Sequence, residues 1–181
     1  LSRQGGELGC TMFMGVPTMY AKMMDSLEKE TGHFNHIRLL ASGSAPLPPR
    51  EFERIKRIFG KEPVEREGMS ETGMNFSNPL RGKKKPGSIG LPLPCVEVRI
   101  VDPESFKDLG TGEAGEIWLR GPNVTPGYWG KSLETEAAFV NGWFRTGDLG
   151  KRDEEGYYYI TDRLKHIIIS GGENISPKEV E

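Results

Sequence analysis

Two apolar runs, each leading into an amphipathic helical stretch, set the tightest limit on what this chain can fold into. The first, Cys10 to Val16, reads as a strand buried on both faces. It runs into a segment where Met19, Tyr20, Met23, Met24 and Leu27 fall on one helical stripe, the pattern of a helix packed on a sheet. His36 to Ala41 is a second apolar strand. Pro49 to Phe59 is a second helix, with Phe52, Ile55, Ile58 and Phe59 facing inward and Gly60 as its stop. Strand, helix, strand, helix implies a parallel α/β sheet, and such sheets take ligands beyond the carboxyl ends of their strands. The small-residue turn Ser42-Gly43-Ser44-Ala45-Pro46 stands at one such end.

The pattern changes near Pro79. From there the chain reads as short strands between turns: Val96 to Val101, Glu116 to Arg120, Trp143 to Thr146 and Tyr157 to Ile160. The 24 glycines and 13 prolines make the chain turn-rich, yet a 35% hydrophobic share still allows a core. "EEGY", Glu154 to Tyr157, is a hairpin turn. This half is expected to be β-rich and barrel-like. The closing stretch opens with the polar joint Asp162 to Lys165, followed by a β-branched strand from His166 to Ser170. Gly171-Gly172 then breaks that strand, and Pro177 falls in the first turn of a helix. A domain rarely closes by opening new elements. The expected organisation is an α/β part over 1–79, a β-rich part over 80–161, and a hinge with the start of a small α+β domain over 162–181, all within a longer protein.

Composition removes several classes of function. Lys and Arg number 24 against 26 Asp and Glu, so there is no broad basic footprint for nucleic acid. Lys83 to Lys85 is a local basic run of the kind found in solvated loops. No apolar stretch is long enough for a membrane span. Cys10 and Cys95 match no metal spacing and read as buried thiols in a reducing, cytoplasmic setting.

Three loops combine glycine with a polar residue able to do chemistry. In "EREGMSETG", Glu65 to Gly73, Gly68 permits close backbone approach, Ser70 offers a hydroxyl and Glu71 a carboxylate suited to hard cations. In "WFRTGDLG", Trp143 to Gly150, Asp148 follows Thr146-Gly147 at the end of a strand, and a fixed carboxylate there can accept both hydrogen bonds of a ribose diol. In the closing stretch, Arg163 can reach a ribose or phosphate, and Lys165 can act as a pivot. Each also has a plainer reading: a polar turn, an aspartate bonding its own backbone, and a solvated linker.

Taken in order, the segments "MFMGVPTMY", "LLASGSAPLP", "REGMSETG", "GEIWLRGPNVTPGYW", "WFRTGDLG" and "DRLKHIIISGGENISPKEVE" resemble the successive motifs of the adenylate-forming superfamily. That superfamily holds acyl-CoA synthetases, peptide-synthetase adenylation domains and luciferases, and the resemblance covers essentially the whole chain. It implies a fold of α/β class: part of the large AMP-binding domain plus the start of the small C-terminal domain. It also implies joining a small carboxylic acid to AMP from ATP, with Mg2+, before the thiol of coenzyme A displaces AMP. On that resemblance, Ser44, Ala45 and Pro46 would line the adenine and acyl pocket, with Gly68 and Met69 also at the nucleotide. Ser70 would contact phosphate, Glu71 would ligate Mg2+, Asp148 would hold the ribose hydroxyls and Arg163 would support the nucleotide. Gly171 and Gly172 would let backbone pass close to the pantetheine arm of CoA. The catalytic roles would fall on Ser70, Glu71 and the pivot Lys165.

Two departures qualify the match. The family's Gly-rich phosphate loop and late catalytic lysine are not in the chain, and are expected before Leu1 and after Glu181. Glu67 stands where the family has an aromatic residue packing on adenine, which loses stacking and adds repulsion near a triphosphate. The Met74-Asn75-x-Ser77-Asn78-Pro79 run resembles the malonyl-CoA synthetase branch, and Arg38 is a candidate partner for a second carboxylate. Two alternatives stay open: a non-catalytic nucleotide- or acyl-binding module of the same fold, and an adenylation domain that loads a carrier protein.

Overall fold

Beneath the turn-rich sequence lies an ordinary alternation of sheet and helix. The computed structural model describes residues 9–27, 34, 36–164, 168–170 and 173–175. They form two compact units: residues 1–68 with 76–91, and residues 69–75 with 92–181.

In the first unit, β1 (Met12–Gly15) pairs in parallel with β2 (Leu39–Ser42), and α1 (Pro17–Leu27) makes the crossover side. After α2 (Pro49–Phe59) the chain enters β3 (Val64–Met69), whose start lies parallel to β2 with Ala41 opposite Val64. β3, β4 (Gly73–Ser77) and the two-residue β5 (Leu91–Pro92) each have residues assigned to both units, and the strand order is β1-β2-β3-β4-β5. Tyr20, Met24, Phe34, Ile37, Leu40, Leu47, Phe52, Ile55 and Phe59 form the core. Each such side chain contributes roughly 1.5–3 kcal/mol by leaving water. Tyr20 also satisfies its hydroxyl on the Ala41 carbonyl at 3.0 Å, which ties α1 to β2. α2 ends at Gly60, whose N–H returns to the Lys56 carbonyl.

Several expectations are corrected here. β1 is not buried on both faces: its burial alternates, with Met12 44% and Met14 55% exposed, so the face these two residues share is uncovered. Met19 is likewise exposed, and only Tyr20 and Met24 of the α1 stripe are fully buried. The second strand begins at Leu39, not His36. Both cysteines are free and exposed, Cys95 in a turn at φ 70° and Cys10 ahead of β1.

The second unit is built on an antiparallel sheet of order β10-β9-β7-β6, with a short β8 on β9; the path does not close among the described strands. Its members are β6 (Glu97–Val101), β7 (Gly115–Arg120), β8 (Phe139–Val140), β9 (Trp143–Arg152) and β10 (Tyr158–Arg163). A short helix, α3 (Ser132–Ala138), precedes β8. Val101, Trp118 and Trp143 pack together within it. The β9–β10 hairpin turns where expected. Asp153 Oδ1 accepts the N–H groups of Glu155 and Tyr157, each at 2.9 Å. β11 (Ile168–Ser170) pairs with β12 (Glu173–Ile175) in a separate antiparallel ribbon. Among the described residues no helix is long and apolar enough to cross a membrane.

Candidate functional site

The turn after β2 carries the first candidates. Ser44, Ala45 and Pro46 are exposed, and Ser44 sits at φ 66°, a conformation that non-glycine residues adopt sparingly and that gathers at functional turns. The turn lies close against β3: a Cβ on Gly43 would stand 3.0 Å from the Arg66 carbonyl oxygen. Ser42, at the strand end beneath it, is buried and its hydroxyl has no partner. Leu47, one residue beyond Pro46, donates its N–H to the Glu65 side chain, and so does Gly87, at 3.0 Å. Glu65 is buried, and burial pushes its carboxyl up to about 8 against the opposing pull of those two donors. Arg38 stands at the other end of β2 from this turn. There it lines a cleft of about 200 Å³ with Lys61, Glu62 and Lys84, and it donates to Thr11 Oγ1 at 3.2 Å. That position separates it from the Ser44 turn.

The segment Glu65–Gly73 is not a loop. Glu65 to Met69 belong to β3, Ser70 to Thr72 make a tight turn, and β4 starts at Gly73. Gly68 and Ser70 are exposed, while Glu67, Met69 and Glu71 are half-buried. In the second unit the turn is held by the segment before α3. Asn123 Nδ2 donates to the Thr72 carbonyl at 2.7 Å and to Asn75 Oδ1 at 3.2 Å, and Thr125 N–H donates to the Glu71 carbonyl at 2.7 Å. The Glu71 carboxylate accepts the Tyr128 hydroxyl at 3.1 Å, and burial, then this carboxylate, raises the phenol above its ordinary range. Glu71 is therefore aimed rather than free to swing. Among the described residues no three carboxylate, imidazole or thiol groups gather as a metal cluster. One half-buried carboxylate still suits Mg2+, which takes one or two carboxylates and draws its other oxygens from water and substrate phosphates.

Asp148 was expected at a strand end; it lies inside β9, on a bulge. Leu149 pairs with Glu116 and Arg145 with Trp118, so Thr146, Gly147 and Asp148 stand opposite the single Ile117. Bulges bend a strand and re-aim its side chains. Gly147 takes φ 70°, which a side chain would oppose. Thr146 Oγ1 donates to the Ile117 carbonyl at 2.7 Å and accepts the Asp148 N–H at 3.0 Å. Asp148 is buried, and its Oδ1 meets Arg163 Nε at 2.8 Å. Arg163 is its cross-strand partner on β10 and is more than half exposed. The polar joint thus begins inside a strand, with Asp162 paired to Leu149. The structure brings Asp148 and Arg163 together. Ser44, Ala45, Pro46 and Gly68 belong to the first unit; Met69, Ser70, Glu71, Asp148 and Arg163 belong to the second. Lys165, Gly171 and Gly172 lie outside the described residues.

A family model described as AMP-binding enzyme matches residues 6–129. The chain belongs to the AMP-binding enzyme family. It is 42% identical over 172 residues to a long-chain-fatty-acid–CoA ligase of Bacillus subtilis, covering 94% of this chain and 31% of the relative. It is also 42% identical over 205 aligned residues to the mitochondrial malonate–CoA ligase of Bos taurus, covering 94% and 34%. Among solved structures it matches ATP-bound MatB from Rhodopseudomonas palustris at 43% identity and a TM-score of 0.89, over 97% of this chain and 35% of that one. The chain thus spans about a third of the length of the curated relatives it matches.

Within that family setting, sequence reasoning missed three residues. Tyr128 and Glu116 lie in segments whose motifs were legible, but nothing in a linear motif says which member reaches Glu71 or the bulge. Glu65 reads in the sequence as a flank of Gly68, and its burial and its two backbone donors distinguish it in the fold.

Proposed function

We propose that the protein carrying this chain is an ATP-dependent acid–CoA ligase that makes an acyl-adenylate and then an acyl-CoA thioester. A carboxylate oxygen of the acid attacks the α-phosphorus of ATP, and the bond from that phosphorus to the pyrophosphate oxygen breaks. The sulfur of coenzyme A then attacks the acyl carbon, and AMP leaves with the oxygen that joined it. Both steps bring anions together, so alignment and fixed positive charge matter more than an acid–base pair. The observation that carries this reading is Asp148. It is a buried carboxylate on a bulge paired with a half-exposed arginine, in a chain of the AMP-binding family. Asp148 would accept the ribose hydroxyls, with Arg163 leaving or sharing its carboxylate as nucleotide binds. Ser44, Ala45, Pro46, Gly68 and Met69 would face the nucleotide, and Ser70 a phosphate. Gly171 and Gly172 would face the CoA arm, and Lys165 would be the pivot between half-reactions. Glu71, steadied by Tyr128, would hold Mg2+, which when bound neutralises phosphate charge.

Malonate is the proposed acid, supported by the Met74–Pro79 run and by the malonate–CoA ligase relative. The fatty-acid ligase of Bacillus subtilis is equally identical, so identity alone favours neither. Two free, exposed thiols suit a reducing compartment such as the cytoplasm. A panel of malonate, acetate and octanoate with the complete protein, read as CoA thioesters by mass spectrometry, tests the choice. The expected order places malonate first. A preference for octanoate would remove malonate and keep the ligase; no thioester from any acid would favour a binding module.

A further inference from the structure

The bulge that presents Asp148 has to be held open. Inserting Thr146-Gly147-Asp148 opposite Ile117 takes backbone amides out of the β7–β9 ladder, and buried amides must find other acceptors. The Asp148 N–H finds Thr146 Oγ1. The Gly147 N–H finds a side chain from the neighbouring strand, Glu116 Oε1 at 3.1 Å.

Glu116 is 1% exposed, and its second oxygen is also fully engaged. Oε2 accepts Trp118 Nε1 at 2.8 Å, Arg145 Nε at 3.1 Å and Arg145 Nη2 at 3.1 Å. Trp118 is two residues along β7, hence on the same face as Glu116. Arg145 comes from β9, immediately before the bulge, and its guanidinium lies over Phe106 at 5.4 Å and Trp118 at 5.9 Å. One carboxylate therefore grips β9 on the residue before the bulge and at its central glycine. A hydrophobic isostere would leave Arg145 without its charged partner and the Gly147 amide unmet.

We infer that Glu116 is a positioning residue for Asp148: through Gly147 and Arg145 it fixes the bulge that aims the ribose-binding carboxylate. This rests on the reading of Asp148 given above. Glu116 touches no substrate itself; its effect is the direction in which Asp148 points, and hydrogen bonds to a ligand weaken steeply with misalignment.

The test compares ATP with 2′,3′-dideoxy-ATP in the complete protein, taking the ratio of their dissociation constants by calorimetry for wild type, D148A, E116A and E116D. A general loss of folded protein lowers binding of both nucleotides alike and leaves the ratio unmoved. D148A is expected to bring the ratio near one. E116A is expected to reduce it about threefold to tenfold, the worth of one or two hydrogen bonds. E116D keeps a charge opposite Arg145 but is a methylene too short to hold all its donors, and is expected to reduce the ratio too; it is the variant to read if E116A does not fold. A wild-type ratio in E116A, or in E116D where that is the variant read, with D148A collapsed, overturns the positioning role alone. A wild-type ratio in D148A overturns the ribose reading and this inference with it.

Discussion

Asp148 and Glu71, the two carboxylates proposed to face the nucleotide and its metal, both have their direction set by neighbours. Asp148 is fixed by its bulge and by Arg163, so Asp148→Ala removes a buried, charge-assisted acceptor without opening a large cavity. In the complete protein it is expected to lower kcat/KM for ATP by about 2–3 kcal/mol, chiefly through KM. Steady-state kinetics with ATP varied checks this; an unchanged ATP dependence would reduce Asp148 to a residue of the bulge. Glu71 is steadied by the Tyr128 hydroxyl. Glu71→Gln is expected to raise the Mg2+ concentration needed for half-maximal activity by about tenfold. Tyr128→Phe, which leaves the charge but frees its direction, is expected to raise it by about threefold. Mg2+ titrations that overlay wild type in both variants would count against a metal role for Glu71.

The elements carry a pH dependence of their own. Glu65 joins β3 to the turn after β2 and to the Gly87 loop, and its carboxyl titrates near 8 in the fold, against the ordinary 4.5. A folded-state value raised in this way means that the native protein binds the proton more tightly than the unfolded chain. The stabilisation is then fully present below about pH 4.5 and is lost as pH rises through about 8. Glu65→Gln cannot titrate there, so its melting temperature is expected to vary less between pH 5 and pH 8.5 than that of wild type. Differential scanning fluorimetry of the two proteins across that range is sufficient, and parallel curves would contradict the assignment. The helices and the hairpin were legible in sequence because their signals are local. Pro49 to Phe59 has a proline start, an apolar stripe and a glycine stop, and Asp153 to Tyr157 has turn chemistry of its own. The bulge in β9 was not legible. It exists only as a mismatch of register between β7 and β9, and register is a property of two strands. The exposure of Met12 and Met14 is illegible for the same kind of reason, since an apolar run does not say which faces of its strand are covered.

At the scale of the whole molecule, the family was legible because six motifs occur in order, while the wiring between them was not. Ser70, Glu71 and Asp148 can be picked out in the sequence as candidates for chemistry. Tyr128 and Glu116, which aim two of them, cannot, because each is 57 or 31 positions from the atom it binds. The role proposed for these motifs is adenylate formation. Carboxylate-dependent exchange of labelled pyrophosphate into ATP, measured on the complete protein with Mg2+, reports that step before any thiol is added. Exchange is expected to require the acid, to rise with malonate and to fall in Asp148→Ala; absence of exchange with every acid of a broad panel, in protein shown to be folded and to bind ATP, would overturn the ligase reading.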